Sequence, residues 1–386
     1  MYQFFAKIIL IFLGLVLGIV ILEVGVRLFP DPPPPRLLQF IEPDPYIGTI
    51  YKKNLIDYIE AEDGNGTVPF HTNSHGFVGL DWNEKKEGVR IINLGDSFTV
   101  GAAVPYEKNY VSILGNILSE SIKAPTESLN FGIVGQGTAE ALETYRHYGR
   151  NADGEVVILW MYLGNDFYDN LKGILASEEK KVLVEVQEEP KLSFLVELLK
   201  KSKLILFVKD NIAQTSWDHR LFSILSKIPG MKGFIYQITL AEYPLKIPLD
   251  LLLLFTEHEK NGVALDETKK YIQKLNQLIK EDGGEFYVVF IPAHFQVDPE
   301  AETHLYNQYP ELRSYEFNVL QPNRLLGDML ESLSIPFLDL TPVFANGYKE
   351  GRPLYICRFC HLSEKGHQLV AEKAAIWLSE NYFKIP

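Results

Sequence analysis

The stretch INLGDSFTVG, residues 92–101, marks the point where a short apolar run gives way to small polar residues. The apolar residues before it predict a buried strand, Gly95-Asp96-Ser97 turns the chain, and a helix is expected to follow. A serine at this junction lies at the carboxyl edge of a sheet, where open α/β folds bind their ligands. Ser97 is therefore a candidate nucleophile, although serine is also a common helix cap.

Outward from this stretch, short β-branched or aromatic runs alternate with stretches of helical spacing, which predicts an α/β fold with a central parallel sheet covered on both faces. The alternation breaks over about residues 171–260, where mostly helical periodicity predicts a helical cap insertion. Residues 37–88 are turn-rich and predict irregular or hairpin structure. The predicted strands lie at residues 89–94, 128–133, 156–162, 286–291 and 337–340, and the predicted helices at 110–123, 139–148 and 363–382.

The N-terminus predicts an anchor. Residues 4–22 are apolar apart from Lys7, and as a helix they would span about 28 Å, close to the hydrocarbon thickness of a bilayer. No small-residue cleavage site follows, which favours an uncleaved transmembrane helix over a signal peptide. We therefore expect a transmembrane anchor over residues 1–29, a proline-rich spacer over 30–36, and one domain over 37–386 on the extracytoplasmic, periplasmic side.

The composition limits the classes of function. The chain has 386 residues, of which 46% are hydrophobic, so it can bury a sizeable core and is not disordered overall. Its formal net charge is −13 and no basic stripe stands out, which argues against a nucleic-acid partner. Nothing in the chemistry expected below requires a cofactor or a metal ion.

Three further segments place polar groups at the same edge of the predicted sheet. Glycines, among them Gly135, follow the second strand, so backbone N–H groups can approach a ligand there. Asn165 follows the third strand, and His361 precedes the last helix. Because a serine is a weak nucleophile without a base, His361 would have to approach Ser97. Together these groups form a plausible acyl-transfer site.

The order Gly95-Asp96-Ser97, Gly135, Asn165 and His361 resembles the four blocks of the SGNH/GDSL hydrolases over roughly residues 89–380. The resemblance implies a flavodoxin-like three-layer αβα sandwich that acts on ester-linked acyl groups. It makes Ser97 the nucleophile and His361 the general base. It also forms an oxyanion hole from the backbone N–H groups of Ser97 and Gly135 and the side chain of Asn165. The anchor, the spacer and residues 71–77 and 163–170 resemble a membrane-anchored bacterial branch of this superfamily.

One position departs from the family pattern. The family has an aspartate two or three residues before the histidine, and this chain has Arg358 and Phe359 there. A carboxylate from elsewhere, with Asp339 or Glu350 as candidates, or a backbone carbonyl would then orient His361. Alternatively, activity is weakened or lost and the protein only binds its ligand. In a third interpretation, a disulfide gates the loop.

The cysteines of this loop, Cys357 and Cys360, leave three interpretations open. They form a disulfide in an oxidising compartment, stay as free thiols, or bind zinc together with His361 and His367. The direct adjacency of His361 to Cys360 makes joint tetrahedral coordination awkward.

Other polar residues have structural interpretations. Asp96 is expected to fix the turn, and Asp166 and Asp169 to cap a helix after the third strand. The remaining histidines singled out are interpreted as loop residues: His71, His75 and His294.

The sequence thus predicts a membrane-anchored, extracytoplasmic serine esterase of SGNH type, whose substrate carries an ester-linked acyl group on a carbohydrate or a lipid. Two alternatives remain. One is a noncatalytic envelope binding or assembly protein with the same fold, and the other is a polysaccharide O-acetyltransferase.

Overall fold

The structure, a computed structural model, describes residues 2–28, 36–61, 66–83, 85–171, 249–356 and 361–384. The chain divides into two compact units, Met1–Pro33 with Ser177–Lys246 and Pro34–Ala176 with Ile247–Pro386. All strands of the described residues belong to the second unit. Most of the predicted cap insertion and of the proline-rich spacer lies outside the described residues.

The predicted parallel sheet is present. Five strands pair in the order β6-β5-β7-β8-β9, and all four pairings are parallel. Counted among these five strands, the order is 2-1-3-4-5, as in doubly wound flavodoxin-like sheets. The strands of the described residues are β1 (Ile41–Asp44), β2 (Gly48–Tyr51), β3 (Ile56–Glu60), β4 (Thr67–His71), β5 (Val89–Gly95), β6 (Thr126–Asn130), β7 (Val156–Tyr162), β8 (Glu285–Ile291), β9 (Phe337–Asp339), β10 (Tyr355–Ile356) and β11 (His361–Leu362).

Helices cover both faces of this sheet. Helices α4, α7 and α10 pack on one face, and α3, α11 and α12 pack on the other. The helices of the described residues are α1 (Tyr2–Leu28), α2 (Ser97–Val100), α3 (Tyr110–Ile122), α4 (Thr138–His147), α5 (Asp166–Asp169), α6 (Leu249–Leu252), α7 (Asn261–Glu281), α8 (His294–Val297), α9 (Pro299–Gln308), α10 (Gln321–Ser332), α11 (Thr341–Lys349) and α12 (Glu364–Asn381).

Strand β7 shows why the sequence forms a sheet with two buried faces. Its residues are apolar without a break, because a parallel strand covered by helices on both sides has no solvent-facing side chains. Val157, Leu159 and Met161 belong to the core on one face. Val156, Ile158 and Trp160 belong to the core on the other face. The period of two therefore distributes one apolar run between two cores.

Strand β6 ends earlier than the sequence predicted, at Asn130. Its ladder with β5 nevertheless continues, because the N–H groups of Phe131 and Ile133 donate to Asn93 O and Gly95 O. The turn-rich residues before β5 form two antiparallel hairpins, β1–β2 and β3–β4. Of the irregular or hairpin structure that the sequence predicts for residues 37–88, hairpins are therefore present.

The N-terminal residues form one helix, α1. Near its end, Glu23 and Arg27 form an ion pair at 2.8 Å. Among the described residues, no helix meets the length and apolarity of a membrane span. The helix that the sequence predicts over residues 1–29 is present as Tyr2–Leu28.

Candidate active site

The turn between β5 and α2 presents Ser97. Gly95 ends β5 where a side chain has no room: a Cβ there would lie 2.2 Å from Thr99 Oγ1 and 2.9 Å from Trp160 O. Asp96 is the N-cap of α2, and its Oδ1 accepts the Phe98 N–H at 2.9 Å. Ser97 is thus the first helical residue rather than the cap, so the helix-cap interpretation of Ser97 is wrong. Its own N–H belongs to the helix start, where N–H groups lack intrahelical acceptors.

The carboxyl end of this four-residue helix is held by two asparagines. Asn109 Nδ2 donates to Thr99 O at 3.0 Å and to Val100 O at 2.9 Å. Asn130 Nδ2 also donates to Thr99 O, at 2.7 Å. These bonds satisfy carbonyls that a short helix leaves without intrahelical donors. Sequence reasoning missed both residues, although Asn109 precedes the helix predicted over residues 110–123 and Asn130 lies within the strand predicted over residues 128–133.

The structure brings His361 to Ser97. The imidazole Nε2 lies 2.8 Å from Ser97 Oγ, although the two residues are 264 positions apart in the sequence. The pairing of β11 with β10 places His361 opposite Ile356. Its ring packs on Phe98, at 4.9 Å between centroids, and Phe98 in turn stacks on Tyr162 at 3.9 Å. Both Ser97 and His361 are half-buried, so the pair is accessible from one side.

The other two residues of the family blocks follow the strands that flank β5. Gly135 lies in the loop after β6, is exposed, and adopts the left-handed conformation with φ 73°. Asn165 comes directly before α5, and its Nδ2 donates to Asp169 Oδ2 at 3.1 Å. The carboxylate can only accept, so it fixes which end of the Asn165 amide is the nitrogen. An amide nitrogen carries a second N–H, which remains for a ligand.

Three aspartates are buried around this turn: Asp96, Asp166 and Asp169. Burial raises the pKa of Asp96 to about 7, against the lowering effects of the Phe98 N–H and of His361. Burial, followed by repulsion from Asp96 and Asp169, also raises the pKa of Asp166 well above its ordinary value. Asp166 does not cap α5 as predicted; its Oδ2 accepts the Tyr162 N–H at 2.9 Å instead.

The two carboxylates that the sequence suggested as orienting groups for His361 have other partners. Asp339 Oδ1 accepts the Thr341 N–H at 2.8 Å, and its Oδ2 accepts from Asn323 at 2.9 Å. Glu350 pairs with Arg352 at 2.7 Å. The predictions for Cys357, Arg358, Phe359 and Cys360 fall outside the described residues.

His367 has a structural role. It is buried, and its Nδ1 accepts the Tyr110 N–H at 3.1 Å, which joins α12 to the start of α3. Burial lowers the pKa of its imidazole to about 3, so the ring is neutral. The lone pair that a metal ion would need on Nδ1 is used by the backbone.

The three histidines that the sequence interprets as loop residues have contacts of their own. His294 Nε2 lies 2.9 Å from Asp298 Oδ2, and burial lowers the pKa of this imidazole. His75 stacks on Trp82 at 4.0 Å between ring centroids, in the segment after β4. His71 ends β4, where it pairs in register with Ile56.

The candidate site consists of a serine at the start of a helix, a histidine within hydrogen-bond distance of it, and an amide after the neighbouring strand. The family model of the GDSL-like lipases/acylhydrolases matches residues 91–374, which is most of the chain. The protein therefore belongs to this family of ester-acting hydrolases, as the four sequence blocks predicted.

Several solved structures are similar to this chain at low identity. Acetylxylan esterase Axe2 from Geobacillus stearothermophilus is 14% identical over 77% of this chain and 96% of that chain, with a TM-score of 0.38. Lipase Lip_vut3 from a goat rumen metagenome is 15% identical over 74% of this chain and 97% of that chain, with a TM-score of 0.38. A search of the curated proteins gives no significant match. Family membership rests on the family model, because these TM-scores are low.

Proposed function

We propose that this protein is an SGNH-type serine esterase in which Ser97 is the nucleophile and His361 the general base. The observation that carries the proposal is the 2.8 Å contact between Ser97 Oγ and His361 Nε2. A serine hydroxyl needs a base at this distance to attack a carbonyl near neutral pH. The pair also lies at the point where the strand order reverses, beside the carboxyl ends of β5 and β7, which is where doubly wound sheets bind ligands.

The reaction then has two steps. Ser97 Oγ bonds to the ester carbonyl carbon while its proton passes to His361 Nε2, and the alcohol leaves with that proton. Water repeats the attack on the acyl-serine and releases the acid. The oxyanion of each tetrahedral intermediate would accept from the N–H groups of Ser97 and Gly135 and from the Asn165 amide. Donors already fixed in position stabilise the developing charge without reorganising.

The substrate class we propose is an ester-linked acyl group on a carbohydrate or a lipid, which agrees with the description of the family as lipases and acylhydrolases. Membrane attachment through residues 1–29 and an extracytoplasmic location are proposed from the sequence alone. Fractionation of cells that express the chain with and without residues 1–29 tests the attachment. We expect the full chain to stay in the membrane fraction after an alkaline wash and the shortened chain to be released.

The activity is tested with a short-chain aryl ester. We expect Ser97→Ala and His361→Ala each to lower kcat/KM by about 10³-fold or more, because either loss removes the nucleophile–base pair. Ser121→Ala and His304→Ala replace exposed residues of the same types outside the site and serve as matched controls. Equal activity in all five proteins would contradict the proposal.

The replacement of the family aspartate by Arg358 and Phe359 favours the noncatalytic binding protein as a second candidate. A fluorophosphonate probe distinguishes the two. We expect it to label the protein at Ser97 and to leave Ser97→Ala unlabelled, whereas an unlabelled wild-type protein would favour the binding function. Product analysis with water or a sugar as acceptor separates hydrolysis from O-acetyl transfer.

A further inference from the structure

Three buried side-chain oxygens beneath the Ser97 turn lack a hydrogen-bond partner among the described residues: Asp96 Oδ2, Asn165 Oδ1 and Asp166 Oδ1. Asp96 and Asp166 are 1% and 3% exposed, so bulk water does not solvate these carboxyl groups. A buried acceptor without a donor destabilises the folded state, and a charged acceptor does so more strongly. Asp96 Oδ2 and Asp166 Oδ1 therefore need a hydrogen-bond donor, and no described side chain supplies one.

The strand pairing places Asp96 and Asp166 at the same end of two neighbouring strands, and a charge on Asp96 repels one on Asp166. Asp96 follows Gly95, the last residue of β5, which pairs with Trp160 of β7. The Asp166 side chain returns to the end of β7, where its Oδ2 accepts the Tyr162 N–H. Each group thus has one oxygen fixed by a backbone N–H, from Phe98 or Tyr162, and one oxygen without a donor.

A single proton provides that donor. Two ionised carboxylates buried side by side repel each other, and one of them then keeps its proton, as in carboxylate dyads. A bound metal ion is the other usual solution. Within the described ranges, however, no group of three or more His, Cys, Asp or Glu residues suits a metal ion.

We propose that Asp96 and Asp166 hold one proton between them, and that the negative charge they retain stabilises His361 when it takes the proton of Ser97. The first half concerns only the two carboxyl groups, whereas the second rests on the proposed function. Asp96 then acts through its neighbours. It caps α2 beneath Ser97, and its negative charge stabilises protonated His361. This charge matters in a chain that has Arg358 and Phe359 where the family has its aspartate.

The electrostatics of the site agree with this assignment. Burial raises the pKa of both carboxyl groups, Asp96 to about 7, and repulsion from Asp169 raises both further. Repulsion from Asp96 also raises the pKa of Asp166, and a protonated His361 favours the ionised form of Asp96. The titratable groups that interact with the pair come from five neighbouring elements: Asp169 of α5, His361 of β11, Tyr110 of α3, Tyr51 of β2 and Glu140 of α4.

Infrared spectroscopy of the full-length protein tests the shared proton without any reference to activity. We expect the C=O stretch of a protonated carboxylic acid near neutral pH, and its loss in Asp166→Asn, whose amide would donate to Asp96 Oδ2 in place of the proton. Asp328→Asn, at an exposed carboxylate paired with Arg324, is the matched control and should retain the band. If the wild-type protein lacks the band, the proposal of a shared proton is overturned. Two ionised carboxylates bridged by water would give this result.

Kinetics of Asp96→Asn test the charge on His361. The amide keeps an Oδ1 acceptor for the Phe98 N–H, so the cap is retained while the charge is removed. We expect kcat to fall about tenfold, equivalent to about 1.4 kcal/mol, with KM little changed and the acid limb of the pH–rate profile moved to lower pH. Unchanged kcat and an unmoved acid limb would overturn the role of the charge. If Ser97→Ala is as active as wild type, the proposed function fails, and the infrared result still decides the shared proton.

Discussion

At the scale of single residues, Asn165 shows that an amide proposed as an oxyanion donor needs a neighbour that presents its nitrogen end. An amide has a nitrogen end and an oxygen end of nearly equal shape, and only its hydrogen bonds distinguish them. Asp169 Oδ2 accepts from Asn165 Nδ2 at 3.1 Å and so directs the nitrogen end of the amide. Asp169 is one helical turn beyond Asn165, so the two residues form a local unit at the end of β7.

This arrangement predicts different effects at the two positions. Asn165→Ala should lower kcat about 10²–10³-fold, because it removes an oxyanion donor. Asp169→Asn should lower kcat less, because its own amide can either donate or accept and no longer selects one orientation of Asn165. Steady-state kinetics with the aryl ester measure both effects. An Asp169→Asn variant with the kcat of wild type would show that Asp169 does not orient the amide.

At the scale of elements, the four-residue helix α2 depends on its surroundings. Isolated helices of this length are unstable in water, since too few hydrogen bonds offset the cost of ordering the chain. Asp96 caps its start, and Asn109 and Asn130 bind its terminal carbonyls. Asn130 also accepts the Gly132 N–H through Oδ1 at 2.9 Å, so it connects α2 with the loop that carries Gly135.

Asn130→Ala should therefore destabilise the domain and the site together. We expect the free energy of unfolding to fall by about 1–3 kcal/mol, because buried partners on two segments lose their hydrogen bonds. Chemical denaturation measures this loss, and kcat should fall with it as the turn beneath Ser97 loosens. Asn151→Ala removes an exposed asparagine that bonds His147 O and should change neither quantity appreciably. Equal stability of the two variants would argue against this role of Asn130.

At the scale of the whole molecule, the two cores on either side of the sheet enclose groups whose ionisation affects folding. His367 is neutral when folded, with a pKa of about 3 against an ordinary value of 6.5. The unfolded chain binds the proton first as pH falls, so the contribution of His367 is complete above pH 6.5 and is lost toward pH 3. Asp96 acts in the opposite sense, because its raised pKa of about 7 stabilises the fold at low pH and this contribution is lost as pH rises from 3.8 to 7.

His367→Asn separates these two contributions. The Asn Oδ1 replaces Nδ1 as an acceptor for the Tyr110 N–H but does not titrate in this range. We expect the variant to be less stable at neutral pH, because the smaller side chain leaves a cavity in the core. Its Tm should nevertheless fall less steeply than that of wild type as pH decreases from 6.5 toward 3. Parallel Tm profiles of the two proteins would show that His367 does not titrate on unfolding.

The alternation of strands and helices and the parallel sheet could be predicted from the sequence alone. Unbroken apolar runs such as Val156–Tyr162 form strands wherever helices cover both faces, and this pattern is local. The sequence also predicted the family, because Ser97, Gly135, Asn165 and His361 each follow or precede a recognisable element. The 2.8 Å contact between Ser97 and His361 could not be predicted in this way, since 264 residues separate them and their distance depends on the packing of α12 and β11. The burial of Asp96, Asp166 and Asp169 beside them could not be predicted either, because burial and mutual repulsion arise from the fold and leave no periodic signal in the sequence.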